Sequence, residues 1–217
     1  MSDAPAPSPA AAPGDRARVV VVCGPSGAGK SRLADRLRRE LGWPTVRLDD
    51  FYRDGDDPGL PRLAGLGIPD WDDPRSWDDA AALDALEALC LTGEVDLPGY
   101  DIATSRRVAG VRVTLPPGRL VVAEGVFAAE LVADLRRRGL LRAAWCVRRT
   151  PWITFALRLA RDLHERRKPP LTLVRRGLAL RRGERGTVAH QVWLGADPVT
   201  PGEAWQRARH LDGRRLR

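Results

Sequence analysis

The 217-residue chain is poor in cysteine, in lysine and in long apolar runs. Its three cysteines, Cys23, Cys90 and Cys146, are odd in number, widely spaced and each set in an apolar run. That pattern argues against a disulfide framework or a cysteine metal site and predicts reduced core thiols in a cytoplasmic protein. No segment has the length of a membrane span, and the opening MSDAPAPSPAAAPGD lacks the apolar core of a signal peptide. Residues 1–16 are expected to be a disordered Ala/Pro-rich tail. With 43% hydrophobic residues, 17–217 is expected to bury one core as a single domain. Only two of the 36 basic residues are lysine. The net charge of +8 is therefore almost wholly an arginine excess, concentrated after about Arg136 in a chain also rich in Ala, Gly and Pro. It reads as compositional bias, so neither a nucleic-acid nor a membrane partner is expected. There is no internal repeat.

What is present alternates between strand-like and helix-like segments. Arg18-Val19-Val20-Val21-Val22-Cys23 is a short β-branched run ended by Gly24, the pattern of a strand buried on both faces of a parallel sheet. From Ser31, Leu33, Leu37 and Leu41 recur at helical spacing, with Gly42 at the cap. Thr45–Leu48 predicts a second strand ending at Asp49-Asp50. A long acidic, Pro- and Gly-rich excursion follows to Asp79. Asp78 or Asp79 caps a helix bearing Leu83, Leu86 and Leu89, and Pro98–Leu115 reads as a substrate-side flap with a strand over Val111–Leu115. Arg119–Ala123 and Leu141–Val147 are further buried strands. Thr150-Pro151 opens a helix to about Arg167, stopped by Pro169-Pro170, and another is expected over Leu171–Arg182. The last strand is expected near Gln191-Val192-Trp193. This alternation predicts a three-layer α/β/α fold around a mostly parallel sheet, with an acceptor-side flap and an Arg-rich lid at about 158–170.

The chemistry starts at Gly24-Pro25-Ser26-Gly27-Ala28-Gly29-Lys30-Ser31, a G-x-x-x-x-G-K-S loop between a buried strand and a helix. Glycines let backbone N–H groups turn around phosphates, the helix N-terminus adds positive potential, Lys30 reaches the β- and γ-phosphates and Ser31 binds Mg²⁺. A chance glycine-rich turn rarely carries the whole pattern in that context. GTPases, helicases and transport ATPases share the loop, but the chain has no Asn-Lys-x-Asp guanine signature and no helicase-type Asp-Glu pair. The acid ending the central strand is the solitary Glu124, a candidate Mg²⁺ ligand, which points to a small-metabolite kinase using ATP. Asp49 emerges at the carboxyl edge of the predicted sheet, where it can take a proton from an acceptor hydroxyl; the alternative is that it caps a turn. Arg158, Arg161 and Glu165 share one helix face, with Arg166 and Lys168 beyond, and suit a cationic lid over phosphates. Without the loop, the same stripe would read as an ordinary solvated face.

In order and spacing, these segments resemble the uridine kinase branch of the uridine kinase/phosphoribulokinase family from Val19 to about Lys168. LDDFYR is similar to the family's D-S-F-Y segment, which implies Asp49 as catalytic base alongside Lys30. Trp71-Asp72-Asp73-Pro74 resembles F-D-H-P, implying that Asp72 binds ribose hydroxyls. Pro98-Gly99-Tyr100-Asp101 resembles P-x-Y-D, implying Tyr100 beside the base and Arg107 as the closing arginine. Ala123-Glu124-Gly125-Val126 is like F-E-G-I. Arg158 through Arg166 resembles the R-x-x-R-D-x-x-E-R lid, implying Arg158 and Lys168 on the acceptor side and Arg161 and Arg166 on ATP. The departures fall at base recognition: Ser105 stands for a histidine, Arg176 for a glutamine and Lys168 for an arginine. The resemblance thus implies MgATP-dependent phosphorylation of a small hydroxylated acceptor, by preference the 5′-hydroxyl of uridine or cytidine, and is compatible with a homo-oligomer. Another nucleoside, a pantothenate-like compound or a sugar is the alternative acceptor. A P-loop regulator with a polyanion-binding basic half is the alternative from another class.

Overall fold

A computed structural model of the chain describes residues 17–63, 65–116, 119–150, 152 and 183–213. The β-branched run forms β1 (Arg18–Cys23), and β2 (Thr45–Arg47), β5 (Leu120–Glu124), β6 (Leu141–Val147) and β7 (Asp197–Val199) join it in one sheet of order β2-β5-β1-β6-β7. Every pairing in this sheet is parallel. Alternate residues of the strands enter opposite layers, as the period of two requires. Val19, Val21, Cys23, Val121 and Ala123 pack on one face against α2 (Asp79–Thr92) and α3 (Val132–Arg137). Val20, Val22, Val122, Trp145 and Val147 pack on the other against α1 (Lys30–Leu41) and α5 (Pro201–Gly213). The predicted three-layer α/β/α fold is the one observed. All three cysteines are buried and free, and among the described residues no helix is long and apolar enough to cross a membrane.

Helix boundaries follow local chemistry. Gly42 ends α1 in a left-handed conformation, its N–H returning to the Arg38 and Leu37 carbonyls. Asp78 caps α2 by accepting a hydrogen bond from the Ala81 N–H, and Leu83, Leu86 and Leu89 are buried as their spacing predicts. The flap is larger than expected: β3 (Glu94–Asp101) and β4 (Arg106–Thr114) make a full antiparallel hairpin, with an irregularity between Leu97 and Gly99 where Pro98 interrupts the ladder.

Two boundaries are corrected. The second strand stops at Arg47, because Leu48 and Phe51 turn inward as the buried anchors of a 3₁₀ turn, Leu48–Phe51. The strand expected at Gln191-Val192-Trp193 is instead part of α4, residues 183–193, and the last strand is Asp197–Val199. In α4, Glu184 and Gln191 are buried and Val188 packs on the core, so a helical stripe of 4 and 3 spacing is there with polar residues in it. The helices expected over Pro151–Arg167 and Leu171–Arg182 lie outside the described residues, Trp152 excepted.

Candidate active site

Functional side chains gather at the carboxyl ends of the strands. The loop leaving β1 turns at Gly24, whose φ of 134° and 2.2 Å approach of a notional Cβ to the Val147 carbonyl oxygen admit only glycine. The loop closes through the Ala28 N–H to the Pro25 carbonyl, 3.2 Å, and feeds α1 directly. Lys30 is only 7% exposed and its Nζ donates to the Pro25 carbonyl at 3.3 Å. Ser26, Gly27, Gly29, Lys30, Ser31 and Arg32 line a cavity of about 320 Å³, which Asp49, Glu124, Val126 and Arg149 complete. Ala28, within the loop, is buried.

Glu124, at the end of β5, is 7% exposed. Burial pushes its carboxyl above the ordinary range and Asp49 adds to the rise, whereas Lys30, Arg47 and a hydrogen bond with Ser31 oppose it. The 3₁₀ turn presents Asp49 beside it, and an Asp49 oxygen accepts from the Val126 N–H at 3.4 Å.

A second cavity, also about 320 Å³, is lined by Arg47, Asp49, Asp50, Tyr52, Trp71, Tyr100, Ile102 and Ser105. Its aromatic wall is mutually packed, with Tyr52 centred 5.7 Å from both Trp71 and Tyr100. The Tyr100 hydroxyl donates to the Arg53 carbonyl at 3.1 Å. Burial also pushes the Asp50 carboxyl up, Arg47 opposing and Asp49 adding. Asp49 belongs to the walls of both cavities.

Other residues singled out in the sequence fall elsewhere. Asp72 lines a third, larger cavity of about 560 Å³ with Ser26, Val126 and Gln191, adjoining the phosphate loop. Arg107 lines none of the three: its Nε donates to the Tyr52 carbonyl at 3.1 Å and its Nη2 to Asp78 at 3.0 Å, tying the hairpin to the excursion. Arg158, Arg161, Arg166, Lys168 and Arg176 lie outside the described residues. Sequence reasoning missed two charged residues of the phosphate-loop cavity, Arg32, in the first turn of α1, and Arg149. The signal of Arg149 is slight, a basic pair directly after the buried Trp145-Cys146-Val147 run.

Known proteins carry related chains. The AAA domain family matches residues 19–88. A uridine kinase of Deinococcus deserti is 32% identical over 163 residues, 74% of this chain and 75% of that protein. The chain belongs to the uridine kinase family. The uridine kinase of Escherichia coli K12 is 27% identical across 68% of this chain and 70% of its own. Among solved structures, a candidate fructose transport system kinase from Silicibacter superposes with a TM-score of 0.56 at 19% identity, covering 86% of this chain and 88% of its own, which shows the shared fold. As a member of the uridine kinase family, the chain is a P-loop kinase, a phosphotransferase with a hydroxyl acceptor.

Proposed function

We propose that the chain transfers the γ-phosphate of MgATP to the 5′-hydroxyl of a pyrimidine nucleoside, uridine or cytidine. The observation that carries this reading is Asp49, one carboxylate in the walls of both the phosphate-loop cavity and the aromatic cavity. A hydroxyl presented from the aromatic side meets Asp49 as its proton acceptor and faces a phosphate held by the loop, the in-line arrangement phosphoryl transfer requires.

On the nucleotide side, the backbone N–H groups of Gly27 to Ser31 and the Lys30 ammonium take the β- and γ-phosphates. Mg²⁺ fits the residues present: the buried Glu124 carboxylate, hydrogen-bonded with the Ser31 hydroxyl, supplies hard oxygen donors. When bound there, Mg²⁺ neutralises phosphate charge. On the acceptor side, Tyr52, Trp71 and Tyr100 offer faces for a planar base; by the family resemblance Asp72 takes ribose hydroxyls, from the cavity that adjoins the phosphate loop. By the family resemblance, Arg158 and Lys168 face the acceptor while Arg161 and Arg166 face ATP.

A second acceptor class is favoured by one residue. Ser105, in the rim of the aromatic cavity, stands where uridine kinases carry a histidine, so a different nucleoside or another hydroxylated metabolite is the competing substrate. A coupled ADP-release screen over nucleosides and then other alcohols separates them. The proposal expects uridine and cytidine to stimulate ADP release well above the acceptor-free rate. It is lost if neither does while another alcohol is turned over.

A further inference from the structure

Arg149 stands two residues past β6, outside both the phosphate loop and the lid. The Arg148 N–H donates to the Val199 carbonyl at 2.8 Å, so the chain is still anchored to the sheet where Arg149 leaves it. Arg149 then reaches across to the phosphate loop: its Nε donates to the Ala28 carbonyl at 3.0 Å. A notional Cβ on Gly29 would lie 3.6 Å from that Nε and 3.7 Å from Nη2, so the guanidinium lies in contact distance of the loop backbone at Gly29. Half-buried, it forms part of the wall of the same cavity as Lys30 and Ser31.

We propose that Arg149 is a nucleotide-binding residue, a cation fixed on the core sheet that contacts phosphate oxygens of the bound nucleotide. The inference rests on reading this cavity as the nucleotide site. An arginine carries five N–H donors in a rigid fork. Engaging Nε with the Ala28 carbonyl keys the side chain to the loop, and the terminal nitrogens stay within reach of whatever the Gly27–Ser31 cradle holds. The Arg149 guanidinium adds a cation to the cavity wall beside Lys30 and Arg32, and of the two arginines it is the one keyed to the loop backbone, through the Ala28 carbonyl.

MgADP titrated calorimetrically into the full chain, without acceptor, tests this over a series of salt concentrations. R149Q is the informative variant, since its side-chain amide can still donate to the Ala28 carbonyl but carries no charge; R149A removes both. The expected result is a ten- to a hundredfold rise in the MgADP Kd for both variants, about the worth of one hydrogen bond to a charged group, with a shallower dependence of log Kd on log salt. MgADP binding by R149Q at the wild-type Kd overturns the proposal, because Arg149 would then merely brace the loop. With no acceptor present, this outcome is separate from that of the acceptor screen.

Discussion

Gly125 follows Glu124 with almost no room to spare: a notional Cβ would lie 2.9 Å from Leu48 Cβ and 3.1 Å from an Asp49 carboxylate oxygen. The glycine thus lets Glu124 and Asp49 approach one another at the ends of neighbouring strands. Gly125→Ala must shift Leu48 and displace the Asp49 carboxylate by a few tenths of an ångström, and the expected outcome is a loss of turnover of about tenfold, below the hundredfold that a full ångström of misplacement can cost. The MgATP KM stays near the wild-type value, and steady-state kinetics read both. The residues of the phosphate loop, Asp49 and Glu124 were legible because each belongs to a local pattern at a strand end. Arg149 was not. Its neighbours Ala28 and Gly29 are brought to it by the β1–β6 pairing, about 120 positions away in the chain, and no local spacing encodes that contact.

At the level of elements, the hairpin β3–β4 reaches the site through a few tethers. The Arg107 guanidinium holds Asp78 and the Tyr52 carbonyl while its backbone N–H donates to Asp54 at 2.7 Å. Arg107→Ala is expected to raise the acceptor KM severalfold and leave the MgATP KM unchanged, a split that a direct nucleotide-site role would not give. Beneath it, α2 buries Leu86 completely against the sheet. Leu86→Ala should cost about 2–5 kcal/mol in chemical denaturation. Most elements announced themselves by periodicity, and the exceptions have physical reasons. The first hairpin strand hides behind Pro98 and Gly99, which break the alternation where the ladder slips. In α4 the buried stripe carries Glu184 and Gln191, so its apolar pattern fades and the β-forming Val192 and Trp193 mislead; both are exposed. The true last strand is three residues at the sheet edge with a proline in the middle, too short for any period to show.

The fold places the phosphate loop, Asp49, Glu124 and Arg149 along one edge of a parallel sheet. β1 delivers the phosphate loop, β2 the turn with Asp49, β5 Glu124 and β6 Arg149, while the helices on both faces keep the strands buried and the edge fixed. Open α/β sheets bind ligands at such an edge, so the fold itself brings the phosphate-loop cavity and the aromatic cavity together. What the fold does not dictate is the wall between them, and here that wall contains Asp49. The most direct test is acceptor-dependent ADP release by Asp49→Asn, an isosteric change that removes the proton acceptor, with MgATP affinity measured in parallel by calorimetry. The account predicts a hundred- to ten-thousandfold loss of turnover, the usual contribution of a general base, with MgATP affinity within about twofold of wild type. Wild-type turnover by the variant would contradict it.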